Sequence, residues 1–272
     1  MHPIKYLLPE VYGAFLPNQL LNAVIEEKKA TCNACAMAPQ KEKGKITYQD
    51  HLKCCTYEPY LPNFLVGAMF KSQSTSASAR AALKKKIHDR EFSLPVGLVA
   101  AVPFQVEFNQ RKPNDFGNRE DWLCPYYDRN QQQCGVWKYR GAVCTSFYCK
   151  SSYGQKGLNF WDHMSNYLTY VEMALMEDVL VDLGFSPRQI SDCLVYLNVK
   201  EATPEQMQQK KMSVSASKKL WGVFYEDQES FFEKTYEMVQ DFDRKRFREA
   251  MGDMGAVLEK NLVQQLGKIQ EK

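Results

Sequence analysis

The cysteines are the residues of this sequence whose type and spacing best fit chemistry. Eight of the nine fall into two groups of four, and no cysteine lies between the groups. Thiolates are soft donors that suit zinc, copper(I) and iron–sulfur clusters, and four of them close a tetrahedral zinc site or hold one cluster. The predicted metal ligands are Cys32, Cys35, Cys54, Cys55, Cys124, Cys134, Cys144 and Cys149.

The spacing inside each group leaves two arrangements of metal open. The front group starts with Cys32-x-x-Cys35, a turn that can present two sulfurs to one ion, and 18 residues separate it from Cys54-Cys55. Neighbouring side chains of an extended segment point to opposite sides, so this pair reaches one ion only if the backbone turns there. The cysteines of the back group are spaced more widely than those of a pair of C-x-x-C motifs. Two independent four-cysteine sites and one centre shared by both groups are therefore the alternatives.

Composition and charge restrict the compartment and the partners. The chain has 272 residues and a formal charge of +3, a balance that predicts no nucleic-acid partner. No apolar stretch is long enough for a membrane span, and the amino-terminal segment lacks the apolar core of a signal peptide. We therefore expect a cytoplasmic chain, in which clustered cysteines serve as metal ligands or redox groups rather than disulfides.

Other chemistry-bearing residues are few, and the catalytic residues stay unknown, because the sequence holds no GxGxxG, Walker or HExxH motif. His51 lies three residues before Cys54 and is either a surface residue or a donor to the metal site. Asp128 and Arg140 are predicted to hydrogen-bond the metal loop, and as a buried pair they would need each other. Cys193 is interpreted as a structural cysteine on an apolar helix face.

Two further sets of residues are assigned by their neighbours in the sequence. The tryptophans that flank the back cysteines are predicted to shield them from water, or to form a substrate platform: Trp122, Trp137 and Trp161. The acidic residues between positions 159 and 183 are predicted on the solvated side of a helix: Asp162, Glu172, Glu177, Asp178 and Asp182.

The motifs around the cysteines resemble the YkgJ-type CxxCxxCC cysteine-cluster family over residues 31–150. The front half is carried by Cys32-Asn33-Ala34-Cys35, Cys54-Cys55-Thr56-Tyr57 and Leu61-Pro62-Asn63, and the back half by Cys124-Pro125-Tyr126-Tyr127-Asp128, Cys134-Gly135-Val136-Trp137, Tyr139-Arg140 and Cys144-Thr145-Ser146-Phe147-Tyr148-Cys149. The resemblance implies a domain that chelates zinc or iron. A related cysteine domain in flagellin lysine methylases implies an iron–sulfur centre as an alternative. The 18 residues before Cys54 depart from the compact family pattern.

Helices must position these loops, and the sequence predicts a mainly α chain. Residues 1–157 are predicted to form an irregular cysteine-rich metal-binding domain with an amino-terminal helical segment, and residues 158–272 a helical bundle. The strongest pattern spans Asn159 to Leu183, where apolar residues recur every three or four positions until Gly184. A short buried helix is predicted over 61–70 and another helix over 78–89, with one short strand near Gln105 to Phe108.

The carboxyl-terminal helices are predicted from their start signals and their apolar spacing. Ser186-Pro187 and Thr203-Pro204 each offer an N-cap followed by proline at the first helical position. Two more helices are predicted over 217–250 and 253–270.

Three functions are compatible with a cysteine-rich metal-binding domain followed by a helical bundle. The first is a metal-binding protein in which zinc or an iron–sulfur centre stabilises aromatic-rich loops. The second is an iron–sulfur-dependent protein-modifying enzyme similar to a lysine methylase, and the third is a metal-stabilised module that docks an unidentified protein partner.

Overall fold

The computed structural model of the chain describes residues 2–27, 35, 37 and 47–271. Helix accounts for 58% of the chain and strand for 5%, which confirms the prediction of a mainly α protein. Cys32 lies outside the described residues, so its predicted place among the ligands stays a prediction.

Helices of very different length follow one another along the chain. The α-helices are α1 (Asn18–Leu21), α2 (Asn63–Lys71), α3 (Ala77–His88), α4 (Val102–Asn109), α5 (Ala142–Ser146), α6 (Gly154–Asp182), α7 (Pro187–Leu194), α8 (Pro204–Met207), α9 (Val214–Trp221), α10 (Gln228–Gln240) and α11 (Arg244–Gln270). Short 3-10 helices cover Ile4–Tyr6, Glu10–Phe15, Glu120–Trp122, Trp137–Tyr139 and Gly222–Phe224.

Strands of two residues each form three small antiparallel sheets in the described part of the chain. The strands are β1 (His2–Pro3), β2 (Val24–Ile25), β3 (Leu61–Pro62), β4 (Ser93–Leu94), β5 (Gly97–Leu98), β6 (Tyr127–Asp128) and β7 (Gln133–Cys134). The first sheet pairs β1 with β2, the second has the order β3-β5-β4, and the third pairs β6 with β7. The third sheet holds Cys134 opposite Tyr127, so it orders part of the back cysteine group.

Helix α6 is the central element, and its predicted apolar stripe is buried. Residues Phe160, Met164, Leu168, Val171 and Leu175 are all fully inaccessible. The helix ends in a Schellman motif, because Gly184 adopts a φ of +87° and the next N–H, of Phe185, donates to the carbonyl of Leu180 at 3.0 Å. Helices α11, α5 and α10 pack against α6.

Helices α2 and α10 approach each other closely although they lie about 160 residues apart in the sequence. A Cβ atom at Gly67 of α2 would lie 1.9 Å from the carbonyl oxygen of Phe232 in α10, so only glycine fits there. Buried residues from Ile4 to Ile269 form one continuous apolar core. The predicted division near residue 157 falls inside α6, which begins at Gly154, and stays a prediction.

The start signals predicted for α7 and α8 are confirmed. The Ser186 hydroxyl accepts the backbone N–H of Gln189, and Thr203 forms an equivalent capping box with Gln206. Each N-cap satisfies backbone donors that the first helical turn leaves unpaired.

Two predictions of secondary structure are wrong. The strand expected near Gln105 to Phe108 is part of α4, since Pro103 stands in the first turn, where a helix tolerates proline. The single helix expected over 217–250 is interrupted twice, with Gly222 at a φ of +54° ending α9 and a turn near Asp241 ending α10. Within residues 7–27, the 3-10 helix Glu10–Phe15 follows Pro9, and α1 follows Pro17. Strand β2 comes after α1.

Candidate metal centre

The front cysteine pair lies at a sharp turn of the backbone. Lys53 has a left-handed φ of +55°, and the Cys55 N–H donates to the Leu52 carbonyl at 3.0 Å. The turn brings the two thiols of the pair within hydrogen-bonding reach of each other, although Cys54 is exposed and Cys55 is partly buried. The backbone condition for placing both sulfurs near one ion is therefore met.

The front and back cysteine groups meet through the backbone. The Cys124 N–H donates to the Cys55 carbonyl at 2.7 Å. Cys134 sits in β7, opposite β6, and Cys144 sits in α5. Three separate local structures therefore deliver the back thiols to the region of the Cys54-Cys55 turn.

The thiols influence one another electrostatically, which shows that they share one neighbourhood. Burial raises the pKa of Cys124 well above its ordinary value, and the nearby Cys134 and Cys144 raise it further. Burial likewise raises the pKa of Cys144, with additional contributions from Cys134 and Cys54. For Cys55, the hydrogen bond with Cys54 is the largest cause of a raised pKa, followed by burial.

Cys54 differs from the other thiols of the cluster. The hydrogen bond from Cys55 is the main reason that the pKa of Cys54 falls to about 7. Burial opposes this fall, and the positive charges of Arg140 and Lys53 make smaller contributions to it. The cluster therefore contains one thiol that is readily ionised at neutral pH and several that stay protonated while no cation lies beside them.

Cys149 extends the network towards the first group. Its sulfur lies 3.9 Å from the Tyr48 hydroxyl, and burial, together with the nearby Cys54 and Cys35, sets its pKa at about 11 although the Tyr48 hydrogen bond lowers it. Seven of the eight predicted ligands are described, and these electrostatic effects join all seven in one chain: Cys35, Cys54, Cys55, Cys124, Cys134, Cys144 and Cys149.

Proximity is not yet coordination in this arrangement. Within residues 2–27, 35, 37 and 47–271, no three Cys, His, Asp or Glu side chains are close enough together to hold a metal ion. The donor chemistry suits a thiophilic metal, and the fourth member of the front group, Cys32, lies outside those residues. The set therefore fits a metal in ligand type, whereas closure of a site requires the sulfurs to move towards one another.

Arg140 supplies positive charge to the cluster. Its side chain is buried, its guanidinium carbon lies 3.5 Å from the centre of the Trp137 ring, and it lowers the pKa values of Cys54 and Cys144. Its Nε atom has no hydrogen-bond partner among the described residues. A buried guanidinium needs anionic neighbours, and ionised thiols would be such neighbours.

Asp128 hydrogen-bonds the loop, as predicted, but it does not pair with Arg140. The Asp128 carboxylate instead accepts the Ser78 hydroxyl at 2.9 Å and the backbone N–H groups of Asn130 and Gln131 at 3.0 Å. These contacts close the turn between β6 and β7. Asp128 thus orders the loop before Cys134 by capping backbone donors rather than by neutralising the arginine.

Glu172 is a buried residue of this region that sequence reasoning assigned to solvent. It is 3% exposed, and its Oε1 accepts the Tyr12 hydroxyl at 2.5 Å and the Ala142 N–H at 2.8 Å, the latter at the start of the helix that carries Cys144. Burial raises the pKa of Glu172 to about 7 against the opposing effect of both hydrogen bonds. Glu172 lies four residues after the buried Leu168, which places both on the same face of the helix, and this spacing was the signal in the sequence that could have predicted its burial.

The remaining acidic residues of α6 lie at or near the surface. Arg246 of α11 donates to Asp178 and also contacts Asp182, which ties α11 to α6. These contacts agree with a predicted solvated side, apart from Glu172.

His51 and the tryptophans flank the cluster. The His51 Nε2 lies 2.9 Å from Glu120 Oε2, and both side chains are about half exposed, so this histidine takes part in a surface pair. Trp122 and Trp161 are buried, and Trp161 stacks on Tyr148 with ring centres 4.0 Å apart. Tyr148 directly precedes Cys149 in the chain, and shielding of the cysteines from water by the tryptophans stays a prediction.

Comparison with protein-family models, with curated proteins and with solved structures finds no match to this chain. None of the helices within residues 2–27 and 47–271 combines the length and the apolar character that a membrane span requires. The resemblance to the cysteine-cluster family therefore stays a prediction from the motifs.

Proposed function

We propose that the chain is a cysteine-cluster protein that binds zinc or an iron–sulfur centre through thiolates of both cysteine groups. The observation that carries this proposal is the contact between the groups, in which the Cys124 N–H donates to the Cys55 carbonyl at 2.7 Å, together with the effects of neighbouring thiols on the pKa values of Cys55, Cys124 and Cys149. Packing alone gives no reason for so many thiols to lie within electrostatic reach of one another.

The electrostatics support a cation at the cluster. Burial raises the pKa values of Cys124 and Cys144, so these two thiols are neutral at pH 7, and the Nε of the buried Arg140 has no hydrogen-bond partner among the described residues. A thiophilic cation would deprotonate the thiols that ligate it, and Arg140 would then offset part of the resulting negative charge. Metal binding would thus account for the burial of both the Arg140 guanidinium and the thiols.

Metal content provides the direct test. The protein is purified without oxygen, its zinc and iron are measured per chain, and its visible spectrum is recorded. Zinc in colourless protein indicates a zinc site, whereas iron with acid-labile sulfide in brown protein indicates an iron–sulfur centre.

We expect Cys124→Ser and Cys144→Ser to lose metal and thermal stability together. Structural zinc can contribute about 10–16 kcal/mol of apparent binding free energy, so loss of a ligand lowers the melting temperature as well as the metal content. Cys193→Ala is the control for metal content, because Cys193 is buried in the core and no other cysteine contributes to its raised pKa. Full metal content in both serine variants would remove these residues from the ligand set.

A further inference from the structure

A cleft opens beside Arg140, on the side of the molecule formed by the first 3-10 helices and α10. Its volume is about 580 Å³, within the range of small-molecule sites, which is roughly 300–1,000 Å³. Leu8, Phe15 and Val239 are buried in its walls, while Tyr236 and Phe242 are partly exposed. The cleft is thus mostly apolar and aromatic and is open to a ligand from outside.

The charged groups of the cleft favour an anion. Lys138 and Arg140 line it against a single carboxylate, that of the exposed Glu10. Arg246 stands over the Phe242 ring, but it is already paired with acidic residues of α6. The excess charge at the cleft is therefore positive and lies in the segment from Trp137 to Arg140.

Arg140 is the group that points to a ligand. It is 8% exposed, and its Nε donor lacks an acceptor among the described residues. The guanidinium carbon lies 3.5 Å from the centre of the Trp137 ring, which also lines the cleft. A buried donor without a partner costs free energy, and a carboxylate accepts from a guanidinium through two parallel hydrogen bonds. A carboxylate in the cleft would lie beside Arg140 and Lys138 and would balance their positive charge.

We propose that the cleft binds a small organic carboxylate with an apolar or aromatic body. The carboxylate contacts Arg140, and the body packs against Tyr236, Val239 and Phe242. This inference does not rest on metal binding, because the cleft is built from residues outside the cysteine groups. The guanidinium has five donors, so the same arginine can serve a ligand on one edge and the thiol cluster on the other.

The test compares two probes on the full-length protein by titration calorimetry. We expect 4-phenylbutyrate to bind and its neutral analogue 4-phenylbutyramide, which has the same body, to bind at least tenfold more weakly. Equal affinity of the two probes would overturn the proposal, and so would an absence of carboxylate binding at millimolar concentration. This comparison needs no variant, so it stands even where a substitution impairs folding.

Two variants locate the binding to the cleft. Ala14→Phe adds a ring to an exposed residue of the lining and should abolish carboxylate binding, while Arg140→Gln should remove the preference for the carboxylate over the amide. Arg188→Gln, at an exposed arginine of α7, is the matched control and should bind as the wild type does. Undiminished binding to folded A14F protein would refute the assignment.

Metal is measured in every sample of this experiment. Probe binding by protein that holds no metal would leave the cleft proposal standing and count against the metal proposal. Metal-loaded protein that does not distinguish the two probes would give the reverse outcome.

Discussion

Glu172 shows how one buried side chain can join distant parts of this chain. Its carboxyl group lies between Tyr12 of the first 3-10 segment and Ala142 at the start of α5, while its own backbone belongs to α6. The Tyr12 hydroxyl also lies 3.1 Å from the Arg140 carbonyl. The position of the helix that carries Cys144 therefore depends on a hydrogen-bonded acid in the core.

Protonation of Glu172 should make stability depend on pH. Its pKa is about 7 in the folded protein and about 4.5 in the unfolded chain, so between these values the unfolded chain binds fewer protons. The stabilisation is complete below pH 4.5 and is lost as the pH rises to 7. This pKa difference of 2.5 corresponds to about 3 kcal/mol in the free energy of unfolding.

Glu172→Gln should remove this dependence. Urea unfolding between pH 4.5 and 8 measures it, and we expect the wild type to lose about 3 kcal/mol relative to E172Q across that window. Glu201→Gln, at an exposed position, is the control and should follow the wild type. Parallel pH profiles for the wild type and E172Q would show that the carboxyl group does not titrate in this range.

At the scale of elements, α11 is bent at one residue. Gly252 adopts φ +54° and ψ −161°, a combination that is non-helical and essentially restricted to glycine. The bend separates an amino-terminal part, which carries Arg246 against α6, from the longer part that buries Leu262 and Leu266. Both parts contact the same core because the axis changes direction between them.

Alanine at two glycines of α11 should therefore act in opposite directions. Gly252→Ala should destabilise the protein by about 1–3 kcal/mol, because alanine must adopt a strained backbone conformation. Gly267→Ala lies in regular helix with open space at its Cβ position and should stabilise by up to about 1 kcal/mol. Chemical denaturation measures both changes, and equal effects at the two sites would contradict a special backbone at residue 252.

At the scale of the whole molecule, the cysteine region and the helical half share one core. Gly67 of α2 meets the backbone of α10 at Phe232, so removal of the first hundred residues would expose much of the carboxyl-terminal half. Sharing of metal between the two cysteine groups is therefore best tested in the full-length chain, where substitutions remove sulfur atoms and leave this packing in place.

A shared centre predicts that either cysteine group alone holds little metal. Cys54→Ser combined with Cys55→Ser should bring the metal content close to zero, since the back group loses the ligands that its Cys124 contacts through the backbone. Cys124→Ser combined with Cys134→Ser should give the same loss. Elemental analysis measures both, and retention of about half the metal by each double variant would indicate two independent sites.

The amino-acid sequence by itself determined the elements whose order depends on local chemistry. The stripe from Phe160 to Leu175 marks α6 because an amphipathic helix must bury its apolar face. Gly184 and the Ser186-Pro187 pair mark its end and the next start, because backbone conformation and capping involve only near neighbours. The two groups of cysteines were likewise visible as spacing.

Only the tertiary structure decided which of these groups meet. The contact between Cys55 and Cys124 joins residues that are 69 positions apart, and no local pattern encodes such a pairing. The burial of Glu172 was equally hidden, because a glutamate in a helix is expected in solvent unless distant donors such as Tyr12 and Ala142 satisfy it. Contacts of this kind depend on how the helices pack, which is settled by the shape and polarity of the entire core.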